Sequence, residues 1–98
     1  MKIEKQVKDG MVCCALEGRL DTTTAPELEK ELGSVLDSAT GLTMDFSRLD
    51  YISSAGLRVL LSAHKAMSRK GGMKVTNVNE VVREVFDITG FADILDIE

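Results

Sequence analysis

The chain has 98 residues, of which 44% are hydrophobic and 29% charged, and its formal net charge at pH 7 is −4. A chain of this length and composition supports a single globular domain, 1–98, and the acidic balance argues against direct binding to nucleic acid, whose phosphates require lysine and arginine partners. No apolar run approaches the roughly 20 residues that cross a bilayer, and the N-terminus lacks the apolar core of a signal peptide, so we expect a cytoplasmic protein without membrane insertion.

The N-terminal segment predicts two paired strands. Ile3, Lys5 and Val7 alternate with Lys2, Glu4 and Gln6 in a period-two pattern. Residues 11–16 are apolar, and Asp9-Gly10 before them is a strong hairpin signal. The second strand contains the only two cysteines, Cys13 and Cys14, which are adjacent and should therefore point to opposite faces. This placement disfavours a disulfide or a shared metal, and with a single histidine in the chain we predict no metal site.

A first helix is predicted after residue 24. The segment Gly18-Arg19-Leu20-Asp21 is interpreted as the exit from the second strand. Thr24 and Glu27 have the spacing of a capping box, and Pro26 is tolerated in a first helical turn. The apolar face then consists of Leu28, Leu32, Val35 and Leu36, and residues 37–41 end the helix.

The middle of the chain predicts a strand, a helix and another strand. Residues 42–46 indicate the strand, 47–50 a turn and 51–52 a short extended piece. The helix, from about Ser54 to Lys70, carries an apolar stripe of Leu57, Leu60, Leu61, His64 and Met67 and is stopped by Gly71-Gly72. Residues 73–75 indicate the fourth strand.

The C-terminal segment predicts a third helix and an edge strand. Residues 80–89 carry an apolar stripe of Val81, Val82, Val85 and Ile88, and Gly90 supplies a left-handed cap. Residues 91–97 alternate and favour a last strand. Helices that connect strands imply an α/β fold, here a mixed sheet of four to five strands flanked by three helices.

Two adjacent hydroxyls, Ser53 and Ser54, stand at the start of the second helix, and the small residues Ala55 and Gly56 follow them. One of the serines is most simply an N-cap. Small residues leave the amides of the first turn open, which favours an anion there. The other hydroxyl is therefore a candidate for regulatory phosphorylation.

Asp21 is the second candidate functional residue, since it follows one strand as Ser54 follows another. Loops after parallel strands meet at one edge of a sheet, so the two residues should share a surface. The simpler alternative is a turn aspartate that caps its own backbone. We predict no catalytic residue and no cofactor, because neither a G-x-S-x-G elbow nor a G-x-x-x-x-G-K loop occurs.

Several motifs follow one another in a fixed order: Gly18-Arg19-Leu20-Asp21, then MDFSRL at 44–49 and YISSAGL at 51–57. In this order they resemble the STAS domain, most closely the anti-sigma factor antagonists of bacteria. The resemblance covers nearly the whole chain, including Gly71-Gly72 and the ending at 85–91. It implies a sheet flanked by helices, no enzymatic activity, and a phosphoprotein that regulates transcription by binding other proteins.

The resemblance also implies partners and a switch. Family members bind an anti-sigma factor that is also a serine kinase, and so free a sigma factor. The kinase phosphorylates a serine at the start of the second helix, which blocks the complex, and a PP2C-type serine phosphatase restores it. The family's acceptor lies two residues before the glycine of D-S-S-G-L, which here is Ser54. Because the usual acidic residue before it is replaced by Ser53 and Ala55 follows it, Ser53 is a second candidate.

The expected partner-binding surface surrounds this serine and comprises Asp21, Thr22, Ser53, Ser54, Ala55 and Gly56. A phosphate on it would act on binding and not on the fold, because a dianion is tolerated in water and costly in a packed interface. An alternative role comes from a different class: STAS-like domains also serve as accessory subunits of membrane lipid or anion transporters. There a helix face would dock permanently, without phosphorylation.

Overall fold

Five strands form one mixed sheet in the computed structural model, which describes residues 1–98. The strands are β1 (Lys2–Lys8), β2 (Met11–Leu20), β3 (Gly41–Ile52), β4 (Met73–Thr76) and β5 (Asp96–Ile97). The helices are α1 (Ala25–Gly33), α2 (Ser54–Met67) and α3 (Glu80–Thr89), with a short 3-10 helix at Phe91–Asp93. The predicted α/β fold, with its mixed sheet and three helices, is confirmed.

The strands are ordered β1-β2-β3-β4-β5 across the sheet. Only β1 and β2 are antiparallel, and each later strand pairs parallel to its neighbour after a crossover. In the β1–β2 hairpin, Asp9 has φ +53° and Gly10 has φ +83°. Positive φ at both central residues is what a two-residue type I′ turn requires, so the hairpin prediction is confirmed.

One face of the sheet carries the hydrophobic core. Alternate residues of β2 and β3 are buried, namely Val12, Cys14, Leu16, Leu42, Met44 and Phe46. The residues between them, including Cys13, are partly or fully exposed, which confirms that the two cysteines face opposite ways. Burial raises the pKa of the Cys14 thiol to about 11, so this cysteine is a packing residue.

β2 and β3 are longer than the sequence patterns indicate. The predicted strand exit at Gly18 and the predicted turn at 47–50 are both wrong, because both segments continue as paired strand. The pairing shifts by one residue between Ala15 and Glu17, and again between Gly18 and Arg19. Each shift gives β3 one extra residue, so the turn-forming side chains of this segment are accommodated in bulges.

The stripe predicted for α3 is partly wrong. Val82 and Phe86 are buried, whereas Val81 is 54% and Ile88 77% exposed. The ring of Phe86 packs against that of Phe46 in β3, with centroids 6.4 Å apart. Val85, which is partly buried against the core, lies on the same side of the helix as Phe86, whereas Val81 and Ile88 lie away from the core.

Caps fix both ends of α3. Asn79 Oδ1 accepts a hydrogen bond from the Val82 amide at 2.8 Å, and Asn79 Nδ2 donates to the Leu49 carbonyl of β3 at 2.7 Å. Gly90 has φ +83°, so the predicted left-handed cap is confirmed. The last strand is also present, but it has only two residues and follows the 3-10 helix.

α2 ends at Met67, three residues before the predicted end. Its stripe is as predicted: Leu57, Leu60 and Met67 are buried, and Leu61 and His64 are half-buried. The chain then passes close to the α1–β3 connection, where a Cβ atom on Gly71 would lie 1.9 Å from the Thr40 carbonyl oxygen. None of the three helices combines the length and apolarity needed to cross a bilayer.

Candidate functional site

The carboxyl ends of β2 and β3 lie side by side. Leu20 pairs with Ile52, and the Ser53 amide donates a hydrogen bond to the Leu20 carbonyl at 2.8 Å. β2 is followed directly by Asp21, and β3 is followed by Ser53 and then by Ser54, the first residue of α2. The prediction that these two loops meet at one edge of the sheet is therefore confirmed.

Ser53 occupies the N-cap position of α2 with an extended backbone, at φ −101° and ψ 175°. Its side chain makes no capping hydrogen bond, and its Oγ is buried without a hydrogen-bond partner. The interpretation of one serine as a side-chain cap is wrong, because the serine at the cap position makes no side-chain hydrogen bond to the helix amides.

Ser54 is the first residue of α2, and it is exposed. The first turn of the helix contains no acidic residue, and Ala55 beside it is half-buried. Two serines that are adjacent in the sequence therefore differ in access: solvent reaches the Ser54 side chain, whereas the Ser53 oxygen has almost no exposed surface.

Gly56 explains how the start of α2 approaches the sheet so closely. The residue is buried, and a Cβ atom on it would lie 2.6 Å from Leu20 Cγ and 3.0 Å from Ile52 Cγ1. Any side chain at this position would push the first turn away from the strand ends. Gly56 is thus a positioning residue beneath the predicted partner-binding surface, and Thr22 is an exposed member of it.

Asp21 organises the turn that leads into α1. Its Oδ1 accepts hydrogen bonds from the amides of Thr23 at 3.0 Å and Thr24 at 3.1 Å. In return, Thr24 Oγ1 accepts from the Asp21 amide at 2.8 Å. These reciprocal hydrogen bonds have the pattern of a capping box, with Asp21 as the capping residue and Thr24 three residues after it. The predicted capping box between Thr24 and Glu27 is wrong, because the Thr24 side chain makes no capping hydrogen bond to α1.

A cation and an aromatic ring lie next to Asp21, and the sequence analysis did not identify them. The Arg19 guanidinium stands 4.5 Å from the centroid of the Tyr51 ring, and Arg19 Nε is 4.0 Å from Asp21 Oδ2. Arg19 and Tyr51 face each other only because of the second register shift between β2 and β3. No local pattern in the sequence signals that shift.

A shallow groove between α1 and α2 continues from this edge. Its lining consists of Thr22, Ala25, Pro26, Glu29, Ala55, Arg58, Val59 and Ser62. Thr22 and Ala55 belong to the predicted partner-binding set, so the groove extends that surface along the helices. Arg58, which the sequence analysis also missed, is exposed and takes part in none of the ion pairs of the structure.

Three carboxylates are held in their charged form. The backbone amide of Thr24, followed by other hydrogen bonds within the turn, holds the pKa of the Asp21 carboxyl below its ordinary value. The side-chain amide of Asn77 does the same to the pKa of Asp45, and the Lys5 ammonium to that of Glu31. At neutral pH the candidate site therefore includes an ionised carboxylate at Asp21, in the loop that follows β2.

These shifts predict the pH dependence of stability. A carboxyl group whose pKa is lowered on folding stabilises the protein above its unfolded pKa, roughly 4, and this contribution is lost as pH falls through the folded pKa. Urea denaturation between pH 7 and pH 2 should therefore show a decreasing unfolding free energy below about pH 4. Asp21→Asn, which keeps the accepting oxygen but does not titrate, should flatten this decrease. An unchanged acid slope in the variant would show that Asp21 does not contribute.

Comparisons with known proteins agree with this geometry. A sequence model of the STAS domain matches residues 2–98. The chain is 38% identical to BtrV of Bordetella bronchiseptica, which is provisionally named an anti-sigma factor antagonist. The alignment spans 99 positions and covers 99% of this chain and 85% of BtrV. It is 32% identical over 83 residues to the anti-sigma-B factor antagonist of Bacillus subtilis, and this alignment covers 84% of this chain and 76% of that protein. The crystal structure of an anti-sigma factor antagonist from Mycobacterium paratuberculosis superposes with a TM-score of 0.89 at 26% identity, over 98% of this chain and 83% of that one.

Proposed function

The chain belongs to the STAS domain family, and from this premise we propose that it acts as an anti-sigma factor antagonist. It binds an anti-sigma factor that is also a serine kinase, and so releases a sigma factor in the bacterial cytoplasm. Phosphorylation of Ser54 switches this binding off, and a PP2C-type phosphatase switches it on again. The protein acts by binding, with no catalytic step of its own. Support comes from relatives of that name that are 38% and 32% identical to it.

The observation that carries the switch is the difference between the two serines. A kinase must bring the γ-phosphorus of ATP against the accepting hydroxyl, so the acceptor has to be accessible. Ser54 is exposed at the first residue of α2, whereas Ser53 Oγ is buried. We therefore assign the acceptor role to Ser54 and keep Ser53 as a side chain of the turn that supports it.

The physical effect of the phosphate differs between the free protein and the complex. Phosphorylation adds about −1.5 to −2 charges at neutral pH, which water solvates readily at an exposed helix start. In a packed interface the same group would lose that water next to the ionised Asp21 carboxylate. Removing a charged group from water costs several kcal/mol, and each ~1.4 kcal/mol lowers affinity tenfold. The modification therefore abolishes association and leaves the fold intact.

Phosphosite mapping tests this proposal directly. The protein is incubated with ATP and a kinase-type anti-sigma factor encoded beside its gene, and the product is analysed by peptide mass spectrometry. We expect one phosphate on Ser54 in the natural protein and in Ser53→Ala, and none in Ser54→Ala. Label on neither serine, together with stable binding to a transporter subunit, would instead favour the accessory role in a membrane transporter.

A further inference from the structure

Arg58 lies one helical turn after Ser54 on α2. Residues four apart on a helix are neighbours on its surface, and helical side chains slant toward the N-terminus of the helix. Arg58 is exposed, and it lines the groove together with Ala55 of the first turn and Thr22 of the adjoining loop. The spacing of four residues therefore places Arg58 beside Ser54 on the surface of α2.

The charged groups around this turn leave Arg58 without a partner. The first turn of α2 has no acidic residue, and the Asp21 carboxylate is occupied by the amides of its own turn and by Arg19. Glu29 of α1 lines the same groove, but it forms no ion pair with Arg58. Asp50 of β3, an exposed residue four positions before Ser54 in the sequence, forms none with Arg58 either.

We propose that Arg58 binds the phosphoryl group of phosphorylated Ser54 as an ion pair within the helix. The inference rests on the proposed function, since it concerns the state in which Ser54 carries the phosphate. A guanidinium can donate two parallel hydrogen bonds to two phosphate oxygens. The phosphate on Ser54 would also lie on the N-terminal side of Arg58, which is the favourable order for an acidic and a basic group four residues apart on a helix.

This pairing gives phosphorylation a second consequence for the docking surface. In the unmodified protein Arg58 is a free cation on the wall of the groove, available to a carboxylate of the partner. In the phosphorylated protein it is held by the phosphate. The switch therefore adds a negative charge at the edge of the sheet and at the same time removes a positive charge from the groove.

The test measures the phosphate itself. Phosphoserine is incorporated at position 54 by genetic code expansion, so that no kinase is needed, and the second phosphate pKa, about 6 for free phosphoserine, is followed by ³¹P NMR. A neighbouring cation stabilises the dianion and lowers this pKa. Arg58→Ala is therefore expected to raise it by about 0.2–0.4 unit, the size of a helix ion pair. Arg58→Lys should restore part of the shift, and 1 M NaCl should remove most of the difference between the proteins.

Arg69→Ala is the matched control, because it removes an exposed arginine beyond the end of α2. It should leave the phosphate pKa unchanged. Equal titrations of the natural protein and Arg58→Ala, or an equal shift in both variants, would overturn the inference and would leave the phosphorylation switch intact. Conversely, a phosphate on Ser54 that fails to weaken partner binding would overturn the proposed function, whatever its pKa.

Discussion

Ser54→Asp is expected to weaken binding of the anti-sigma factor by about 30- to 100-fold, because desolvating a charge in an interface costs about 2–3 kcal/mol and each 1.4 kcal/mol is a tenfold change. The melting temperature should change by less than about 2 °C, since the side chain is exposed and a negative charge in a first helical turn is mildly stabilising. Isothermal titration calorimetry and thermal denaturation measure the two quantities on the same samples.

Three further variants make this result specific. Ser54→Ala should bind like the natural protein, because it adds no charge. Ser38→Asp, which places the same charge on an exposed turn after α1, should also bind normally. Ser53→Asp should lower the melting temperature instead, since its side chain would bring a carboxylate to a buried position. If Ser54→Asp lost its fold while Ser53→Asp kept it, the two serines would have exchanged roles.

Gly71→Ala is expected to lower the unfolding free energy by about 3 kcal/mol, at the upper end of the effects of overpacking. The added methyl group would lie 1.9 Å from the carbonyl oxygen of Thr40, and its carbon would also crowd the Gly41 Cα at 3.2 Å. Both contacts involve backbone, so no side-chain rotation relieves them and the two connections must separate. Urea denaturation at pH 7 measures the difference.

Gly33→Ala provides the matched control for this prediction. No atom lies within 4 Å of a Cβ built at Gly33, and its φ is not in the left-handed region. Alanine there should be neutral or stabilise the protein by up to about 1 kcal/mol through its higher helix propensity. Similar stabilities for Gly71→Ala and the natural protein would show that the α2–β4 and α1–β3 connections do not pack as described.

Local signals in the sequence were sufficient for the order of elements. Period-two alternation indicated β1, an apolar run indicated β2, the Asp9-Gly10 pair indicated the hairpin, and Gly90 indicated the end of α3. The meeting of Asp21 and Ser54 also followed from the sequence, because it depends only on two parallel strands being neighbours. These features are encoded within a few residues or in the topology alone.

The remaining features depend on contacts between distant residues. The bulges of β3 exist only relative to β2, so no stretch of β3 by itself distinguishes Ser47 in a turn from Ser47 in a strand. Thr24 stands three residues from both Asp21 and Glu27, and spacing cannot decide which of the two completes the capping box. The unequal access of Ser53 and Ser54 depends on how closely α2 approaches the sheet, which Gly56 permits.

The hydrogen bond between the Ser53 amide and the Leu20 carbonyl ties the start of α2 to the last residue of β2 at 2.8 Å. The proposed phosphorylation site therefore lies one residue from a direct backbone link between helix and sheet. If this link persists after phosphorylation, the two states would differ at the strand ends chiefly in electrostatic potential. In that case the response of the proposed switch would follow the rates of the enzymes that add and remove the phosphate.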